Sequence, residues 1–367
     1  MNKEKDKYQS RLRVVFLSNW QPYNPYQQLL AKSLVQQGCE LEIHYCDLIF
    51  LPFFLKFWQK TILHIHTIHP FIISKHKFYQ PLKTLLFLLQ ILILKILNIK
   101  VVWTVHEWQD KLLEGKYFLN QNQISIINNF IDAIITHSHY SYQEISPYFH
   151  NLARKNKLFT INHGNYIDFY SNQISSEEAR KSLNIPSEKL VFLLFGSIYS
   201  YKGFVEAIEV FKLLPSQKIF LLIAGKPVER DIVNQIKSHS KNISNILFVP
   251  QLIEDDQVQI YFNVADCVIL PYQVFTTSGV ALLAMSFAKA CIAPKLGHFA
   301  EILNNSGAFL YNFNESNGLL KSMKLACQNQ DKILAMGEYN FQVAKEWNWN
   351  LIAQQTVNIY LSLWQND

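Results

Sequence analysis

One segment in the middle of the chain constrains the fold more than any other. An apolar run, Leu190–Phe195, predicts a buried strand, and Gly196 directly follows it. The pair Lys202 and Gly203 then precedes an amphipathic helix that begins at Phe204. Because the first amides of a helix lack partners within it, this start attracts anions, and a phosphate fits such a turn. The alternative is an ordinary strand-to-helix turn that carries a surface lysine.

A second segment, about 80 residues further along the chain, has the same character. Residues 267–270 predict a short buried strand that Pro271 ends, and residues 280–288 predict a core helix because they are apolar on nearly every face. Between them lie, in order, Thr276, Thr277, Ser278 and Gly279. Hydroxyl groups and a glycine in the first turn of a helix again suit a phosphate.

The chain has 367 residues, 49% of them hydrophobic, which suffices for two domains with separate cores. Predicted strands alternate with helices, and this order implies parallel sheets with right-handed crossovers. The strands are predicted at 13–17, 41–45, 61–66, 101–105, 133–136 and 159–161, and again at 190–195, 219–224, 246–249, 267–270 and 290–293. The predicted fold class is α/β, with two Rossmann-like domains that face a central cleft and bind ligands at the carboxyl ends of their strands.

The two helix starts within one α/β domain resemble the nucleotide-sugar domain of GT-B glycosyltransferases, in particular the large retaining group 1 family that includes sucrose synthases and mannosyltransferases. The resemblance extends over about residues 11–349. It implies an acceptor-binding domain at 1–170, a polar linker at 171–189 and a nucleotide-sugar-binding domain at 190–345. It also implies that a last helix, at 346–367, crosses back onto the N-terminal domain.

The turn from Gly196 to Gly203 is similar to the family's Gly-Arg-x-x-x-x-Lys-Gly pattern. This similarity implies that Lys202 contacts the diphosphate of the donor. Ser197 stands where the family has its arginine.

The family's paired glutamates fall near Phe275 and Leu283, neither of which is acidic. The usual contacts of the family to the ribose and to the sugar are therefore missing from this sequence. The donor-binding residues that the resemblance implies are Gly196, Ser197, Lys202, Gly203, Thr276, Thr277, Ser278 and Gly279.

Polar residues also follow two predicted strands of the N-terminal half. Asn24, Tyr26 and Gln27 open the helix after the first strand, where the family places an acceptor-side loop. The alternative for Asn24 is simple capping of that helix.

The polar cluster that ends the fourth predicted strand is the predicted catalytic site. His106 is placed to hydrogen-bond the transferred sugar or to take part in proton transfer. Glu107 or Asp110 would serve as a base if the reaction inverts the anomeric carbon. The alternative for His106 is a histidine that only closes the strand.

Two further histidine patterns have different interpretations. His163 and Asn165 resemble the family's Asn-Gly loop at the end of the N-terminal domain, which faces the cleft. His64, His66 and His69 lie close together, but only the first two share a strand face and no acidic residue is nearby. We therefore expect no metal site, and no cofactor besides the nucleotide-sugar co-substrate.

Residues 82–97 are almost entirely apolar, but at ~1.5 Å per residue they make a helix of about 24 Å, too short for a hydrocarbon core of ~30 Å. A buried crossover helix is one interpretation. However, no acidic residue occurs from Leu48 to His106, while seven lysines do. This pattern favours a peripheral contact with an anionic membrane surface.

The net charge of the chain is +6, but its basic residues do not form arginine-rich tracts. Their distribution therefore disfavours nucleic acid as a partner.

These observations and the resemblance predict a metal-independent glycosyltransferase, a hexosyltransferase, that moves a sugar from a nucleotide diphosphate to a lipid-linked or polysaccharide acceptor. Retention at the anomeric carbon is implied by the resemblance alone. No apolar segment precedes Val14, so we expect no signal peptide and a cytoplasmic protein, peripheral on the inner face of the plasma membrane. Two alternatives are a non-catalytic membrane-associated assembly protein of the same fold and a nucleotide-sugar epimerase. The donor base, the sugar, the acceptor, the linkage and the oligomeric state depend on pocket shape, which one sequence does not define.

Overall fold

The computed structural model describes residues 12–18, 25–46, 48–54, 60–74, 76–108 and 119–365. The chain divides into two compact units. The first comprises Met1–Gly164 and Trp347–Asp367, and the second comprises Asn165–Glu346. The predicted α/β class with two parallel sheets is confirmed.

The first unit contains a sheet of six parallel strands in the order β2-β1-β3-β4-β5-β6. The strands are β1 (Arg13–Ser18), β2 (Glu40–Tyr45), β3 (Thr61–Ile65), β4 (Lys100–Thr104), β5 (Ala133–Thr136) and β6 (Leu158–Thr160). The helices described in this unit are α1 (Pro25–Gln36), α2 (His69–Ile72), α3 (Gln80–Ile96), α4 (Gln121–Phe130), α5 (His139–Ile145), α6 (His150–Arg154) and, near the end of the chain, α15 (Trp349–Ser362).

Both faces of this sheet are covered, because successive strand residues point to opposite sides. Val101 belongs to a core beneath α3 and α4, together with Phe87 of α3. Its neighbour Val102 belongs to a second core, beneath α1 and α15, together with Tyr360 of α15. The last helix in the sequence is therefore an integral part of the first unit.

The second unit contains another six-stranded parallel sheet, in the order β12-β11-β10-β7-β8-β9. Its strands are β7 (Leu190–Phe195), β8 (Ile219–Ala224), β9 (Ile246–Val249), β10 (Cys267–Ile269), β11 (Ala290–Pro294) and β12 (Ala308–Tyr311). Its helices are α7 (Ser176–Ser182), α8 (Phe204–Lys212), α9 (Arg230–Ser240), α10 (Val258–Val264), α11 (Gly279–Ser286), α12 (Gly297–Ile302), α13 (Gly318–Gln328) and α14 (Gln330–Glu346).

Strand β7 lies inside this sheet, between β10 and β8, and alternate residues of it enter a core with α8. Central strands of a parallel sheet carry their functional groups at the carboxyl edge, where the chain turns into the next helix. The turn after β7 and the loop after β10 are therefore neighbours at one edge of the second unit.

Candidate functional site

The turn after β7 brings the backbone of Gly196 against the side chain of Lys202. Gly196 has a φ of 101°, and its amide donates to the carbonyl of Ala224 at 3.0 Å. A Cβ at this position would lie 3.2 Å from Lys202 Nζ and 3.2 Å from a methyl group of Val280. Both the conformation and the space therefore favour glycine here.

Gly203 holds the start of α8 against the end of β10. It has a φ of 66° and precedes the first residue of the helix. A Cβ on Gly203 would lie 2.3 Å from the carbonyl oxygen of Pro271. This close backbone contact fixes Lys202, the residue before it, beside the loop that follows β10.

Lys202 is a buried cation. Only 8% of the residue is exposed, and its Nζ lies 5.4 Å from the centre of the Tyr272 ring. Burial lowers the pKa of Lys202 to about 8. Among the residues that the structure describes, Lys202 forms no ion pair with a carboxylate. A buried ammonium without an anionic partner is unfavourable, and an anion that reached it would bind favourably.

The loop at residues 276–279 adds hydroxyl groups and helix amides. Ser278 caps α11, since its hydroxyl accepts from the amide of Ala281 at 3.3 Å. The hydroxyl oxygen of Thr277 is buried and has no hydrogen-bond partner in the described part of the chain. Gly279 is the first residue of α11 and is exposed. Because Val280 also borders Gly196, this helix start lies beside the turn that carries Lys202.

The positions where the resembled family has glutamates are apolar in this protein. Phe275 packs against Phe299, with ring centres 4.1 Å apart, and against Tyr272, at 5.8 Å. Leu283 lies within α11 and is buried. Ser197, in place of the family's arginine, is partly buried. Lys202 is therefore the principal positive charge of this group of residues.

In the first unit, Tyr26 lies at the centre of a group of aromatic rings. It is buried in the first turn of α1, as is Gln27. The ring centre of Tyr26 lies 4.6 Å from that of His106, 4.8 Å from that of His163 and 5.2 Å from that of His137. Asn24, predicted to open the same helix, lies outside the described residues.

His106 follows β4 and is held neutral by its surroundings. Its Nε2 lies 3.4 Å from Nδ1 of His66, and burial keeps the pKa of His106 well below its usual range. Glu107 is half-buried and follows His106 directly, whereas Asp110 lies outside the described residues. A neutral imidazole at this position is suited to exchange hydrogen bonds with a hydroxyl group.

Two other histidines near Tyr26 were not predicted as site residues. His64 Nδ1 lies 2.5 Å from the Tyr360 hydroxyl, and His64 Nε2 lies 2.6 Å from the Thr104 hydroxyl. His137 donates from Nδ1 to the carbonyl of Ile161 at 3.0 Å. The only sequence signal for these two residues was that each lies in, or directly after, a predicted strand of the same sheet.

The histidines do not form a metal-binding geometry. Within the described ranges, no group of three or more His, Cys, Asp or Glu side chains is arranged to hold a metal ion. His64 instead forms part of a hydrogen-bonded series that runs from Tyr360 to Thr104.

His163 and Asn165 lie on either side of the boundary between the two units. His163 donates from Nδ1 to the carbonyl of Gly164 at 2.7 Å. Asn165 donates from its side-chain amide to the carbonyl of Ala344, at 2.8 Å, inside the second unit. The two residues therefore fix the ends of the connection by which the chain passes from one unit to the other.

Helix α3 carries a stripe of exposed apolar residues along one face. None of the helices in the described ranges is long and apolar enough to cross a membrane. The exposed residues of the stripe are Leu82, Leu85, Leu89, Ile93 and Ile96. Their spacing of three or four residues places them on one side of the helix.

Comparison with known proteins agrees with the geometry of the second unit. A model of the family described as glycosyl transferases group 1 matches residues 175–343, which contain both the Lys202 turn and the start of α11. The matched residues all belong to the second unit and make up less than half of the chain. The predicted resemblance to this family is confirmed.

Solved glycosyltransferases have the same fold over nearly the whole chain. The sucrose-phosphate synthase of Thermosynechococcus elongatus superposes with a TM-score of 0.73 and 15% identity, over 97% of this chain and 100% of the other. Anabaena HepE in complex with UDP and glucose superposes with a TM-score of 0.72 and 14% identity, over 95% and 99%. These superpositions confirm the predicted GT-B fold.

A sequence relative is more similar but matches a shorter region. The GDP-mannose:glycolipid 4-beta-D-mannosyltransferase of Xanthomonas campestris pv. campestris is 26% identical over 167 residues, which are 45% of each chain. The match spans about half the length of the curated relatives. The similarity to this relative therefore concerns one part of the chain rather than the whole.

Proposed function

We propose that this protein transfers a hexosyl group from a nucleotide diphosphate sugar to a lipid-linked or polysaccharide acceptor. The observation that carries the proposal is the buried ammonium of Lys202, which faces the Gly196 backbone and has no carboxylate partner among the described residues. A nucleotide diphosphate supplies the anion that such a site requires.

The chemistry follows from where the negative charge appears. When the bond between the anomeric carbon and the diphosphate oxygen breaks, its electron pair stays with the leaving diphosphate. Lys202 and the first amides of α11 then stabilise this charge without having to reorganise. These groups supply the stabilisation that a bound cation gives in other transferases, so the proposed transfer is metal-independent.

On the acceptor side, the proposal assigns roles to the residues around Tyr26. Neutral His106 hydrogen-bonds a hydroxyl group of the transferred sugar, and Tyr26 and Gln27 border the acceptor together with Asn24. Retention at the anomeric carbon is the proposed outcome. Glu107 or Asp110 is the candidate base if the configuration inverts instead.

A membrane setting suits this function. The named acceptor of the Xanthomonas relative is a glycolipid, and α3 of this protein exposes a stripe of apolar side chains. No acidic residue occurs from Leu48 to His106. We propose that this face of the first unit rests on the anionic inner leaflet, so that the protein works peripherally from the cytoplasmic side.

One observation favours a second candidate function. Phe275 and Leu283 replace the glutamates of the resembled family; Phe275 packs against Phe299, and Leu283 is buried. A membrane-associated assembly protein that kept the GT-B fold without catalysis would tolerate this change. Nucleotide binding separates the two candidates.

The test is a thermal-shift and calorimetric titration with UDP, GDP, ADP and their sugars. The variant Lys202→Met removes the buried charge, and Lys237→Met makes the same change at an exposed lysine of α9. We expect one nucleotide to stabilise the wild type and Lys237→Met, and to bind Lys202→Met at least tenfold more weakly. Equal binding to both variants, or no binding to the folded wild type, would overturn the proposed donor site.

A further inference from the structure

We propose that a groove between α3 and the start of α4 holds the hydrocarbon chain of the lipid-linked acceptor. The inference rests on the proposed function, because it assigns a place to the lipid part of that acceptor. The groove has a volume of about 530 Å³, within the range of ~300–1,000 Å³ that is usual for small-molecule sites. Its apolar walls are formed by Pro81, Leu85, Leu88 and Ile126.

Two of the four polar residues that line the groove, Thr84 and Asn120, already have hydrogen-bond partners inside the protein. The Thr84 hydroxyl donates to the carbonyl of Ile72 at 3.3 Å and accepts from the side-chain amide of Gln123 at 3.1 Å. Asn120 and Gln123 form a reciprocal capping box at the start of α4. A polar ligand would therefore find few free hydrogen-bonding groups on Thr84 and Asn120, whereas a hydrocarbon chain needs none.

The groove lies at the same edge of the sheet as the residues around Tyr26. In a parallel sheet, a helix that follows a strand starts near the carboxyl end of that strand and runs back. The groove is lined by the first half of α3, which follows β3, and by the start of α4, which follows β4. His106 also follows β4. A chain in the groove would therefore keep its polar head group at the edge that carries the proposed acceptor site.

Charge and surface chemistry favour an anionic lipid as the source of the chain. Neither the segment from Leu48 to His106 nor α4 contains an acidic residue. Lys83, next to the groove, is half-buried. Its ammonium group donates to the backbone carbonyls of Pro70 and Ile73, which are neutral and leave its positive charge in place. Leu85 belongs both to the groove and to the exposed stripe of α3. Leu85 therefore connects the exposed stripe, which would face a bilayer, to the wall of the groove.

The experiment uses dodecyl phosphate below its micelle concentration, measured by calorimetry on the full chain. Ile126→Trp fills the groove without making it polar, and Leu88→Gln makes its wall polar. The double variant Leu82→Gln/Ile96→Gln changes the stripe outside the groove. We expect each groove variant to weaken binding of dodecyl phosphate at least tenfold and the stripe variant to leave it within twofold. Inorganic phosphate, which lacks the chain, is the matched ligand and should not compete.

One outcome of this calorimetry and two further measurements decide the proposal. Unchanged dodecyl phosphate binding in both folded groove variants overturns the proposal. Vesicles of phosphatidylglycerol and phosphatidylcholine separate the acceptor from bulk lipid. If Ile126→Trp loses vesicle binding as well, the groove serves the bilayer and its assignment to the acceptor is wrong. Titration of the groove variants with the donor nucleotide tests the transferase proposal independently, because the groove contains none of the donor-site residues.

Discussion

The Nζ atom of Lys202 lies 3.2 Å from the point at which a Cβ atom would project from Gly196. A side chain at position 196 would therefore crowd the lysine, whose end would have to shift by a few tenths of an ångström. Gly196 also has a φ of 101°, which residues with a Cβ rarely adopt. One glycine therefore determines both the turn after β7 and the position of the buried charge.

Gly196→Ala is expected to damage the fold and the donor site together. Backbone strain should lower the free energy of unfolding by about 1–3 kcal/mol. Displacement of Lys202 should weaken nucleotide binding at least tenfold, as measured by calorimetry. The control is Gly279→Ala at the start of α11, where a Cβ meets only the Tyr166 hydroxyl at 3.4 Å. This control should unfold at the same denaturant concentration as the wild type or a higher one.

Nucleotide binding is expected to weaken as the pH rises through about 8. Burial lowers the pKa of Lys202 to about 8 in the free protein, and only the charged form attracts the diphosphate. The dissociation constant should therefore rise about fivefold from pH 8 to pH 9, and by up to roughly a factor of ten for each further pH unit. Calorimetry of the wild type and Lys202→Met at several pH values checks this. A parallel pH dependence in the two proteins would contradict the role of Lys202.

Acid is expected to destabilise the first unit before it affects surface carboxylates. Burial lowers the pKa of His64 to about 3 and that of His137 to about 4. In the unfolded chain these histidines take up protons near pH 6.5, so the unfolded state binds more protons below that pH. Stability should fall from about pH 6.5 towards pH 4, by about 1.4 kcal/mol per pH unit for each such histidine.

Urea unfolding at pH 7, 6 and 5 measures this slope. His137→Gln should reduce the slope by about one proton, or about 1.4 kcal/mol per pH unit. His150→Gln, at an exposed residue of α6, controls for the loss of a histidine as such. A slope that is the same in the wild type and His137→Gln would mean that His137 does not titrate as the structure implies.

The α3 stripe is expected to carry membrane binding. Leu82→Gln/Ile96→Gln should reduce binding to phosphatidylglycerol vesicles by about tenfold or more, because each fully buried leucine or isoleucine contributes ~1.5–3 kcal/mol. Leu325→Gln/Leu334→Gln changes two exposed leucines of the second unit and should leave binding unchanged. Co-sedimentation measures both. Similar losses in the two double variants would argue against the stripe.

Local sequence patterns predicted much of the fold. The apolar run at Leu190–Phe195 and the turn after it could be located because a buried strand and a glycine leave clear signals. Strand β12, Ala308–Tyr311, was not predicted, although β9, which has the same length and lies at the other edge of the sheet, was. Its place became apparent only from its pairing with β11.

The arrangement of the turn that carries Lys202 can be predicted from the sequence, whereas the arrangement of the rings around Tyr26 cannot. Lys202 and Gly203 lie within one turn, so their relation is local. Tyr26 meets His106, His137 and His163 only because the sheet places the ends of β4, β5 and β6 side by side. No spacing in the sequence encodes that order. Such a group can be recognised only from tertiary structure.

The place of α15 in the first unit bears on the order in which the chain can fold as it is synthesised. Tyr360 lies near the end of the sequence, yet its hydroxyl meets His64, and a Cβ on Gly164 would lie 2.4 Å from Trp349. Along the sequence, the second unit is one continuous segment that separates the two segments of the first unit. During translation the second unit can therefore close its core while the first still lacks its final helix. The half of the protein that starts first is the last to be completed.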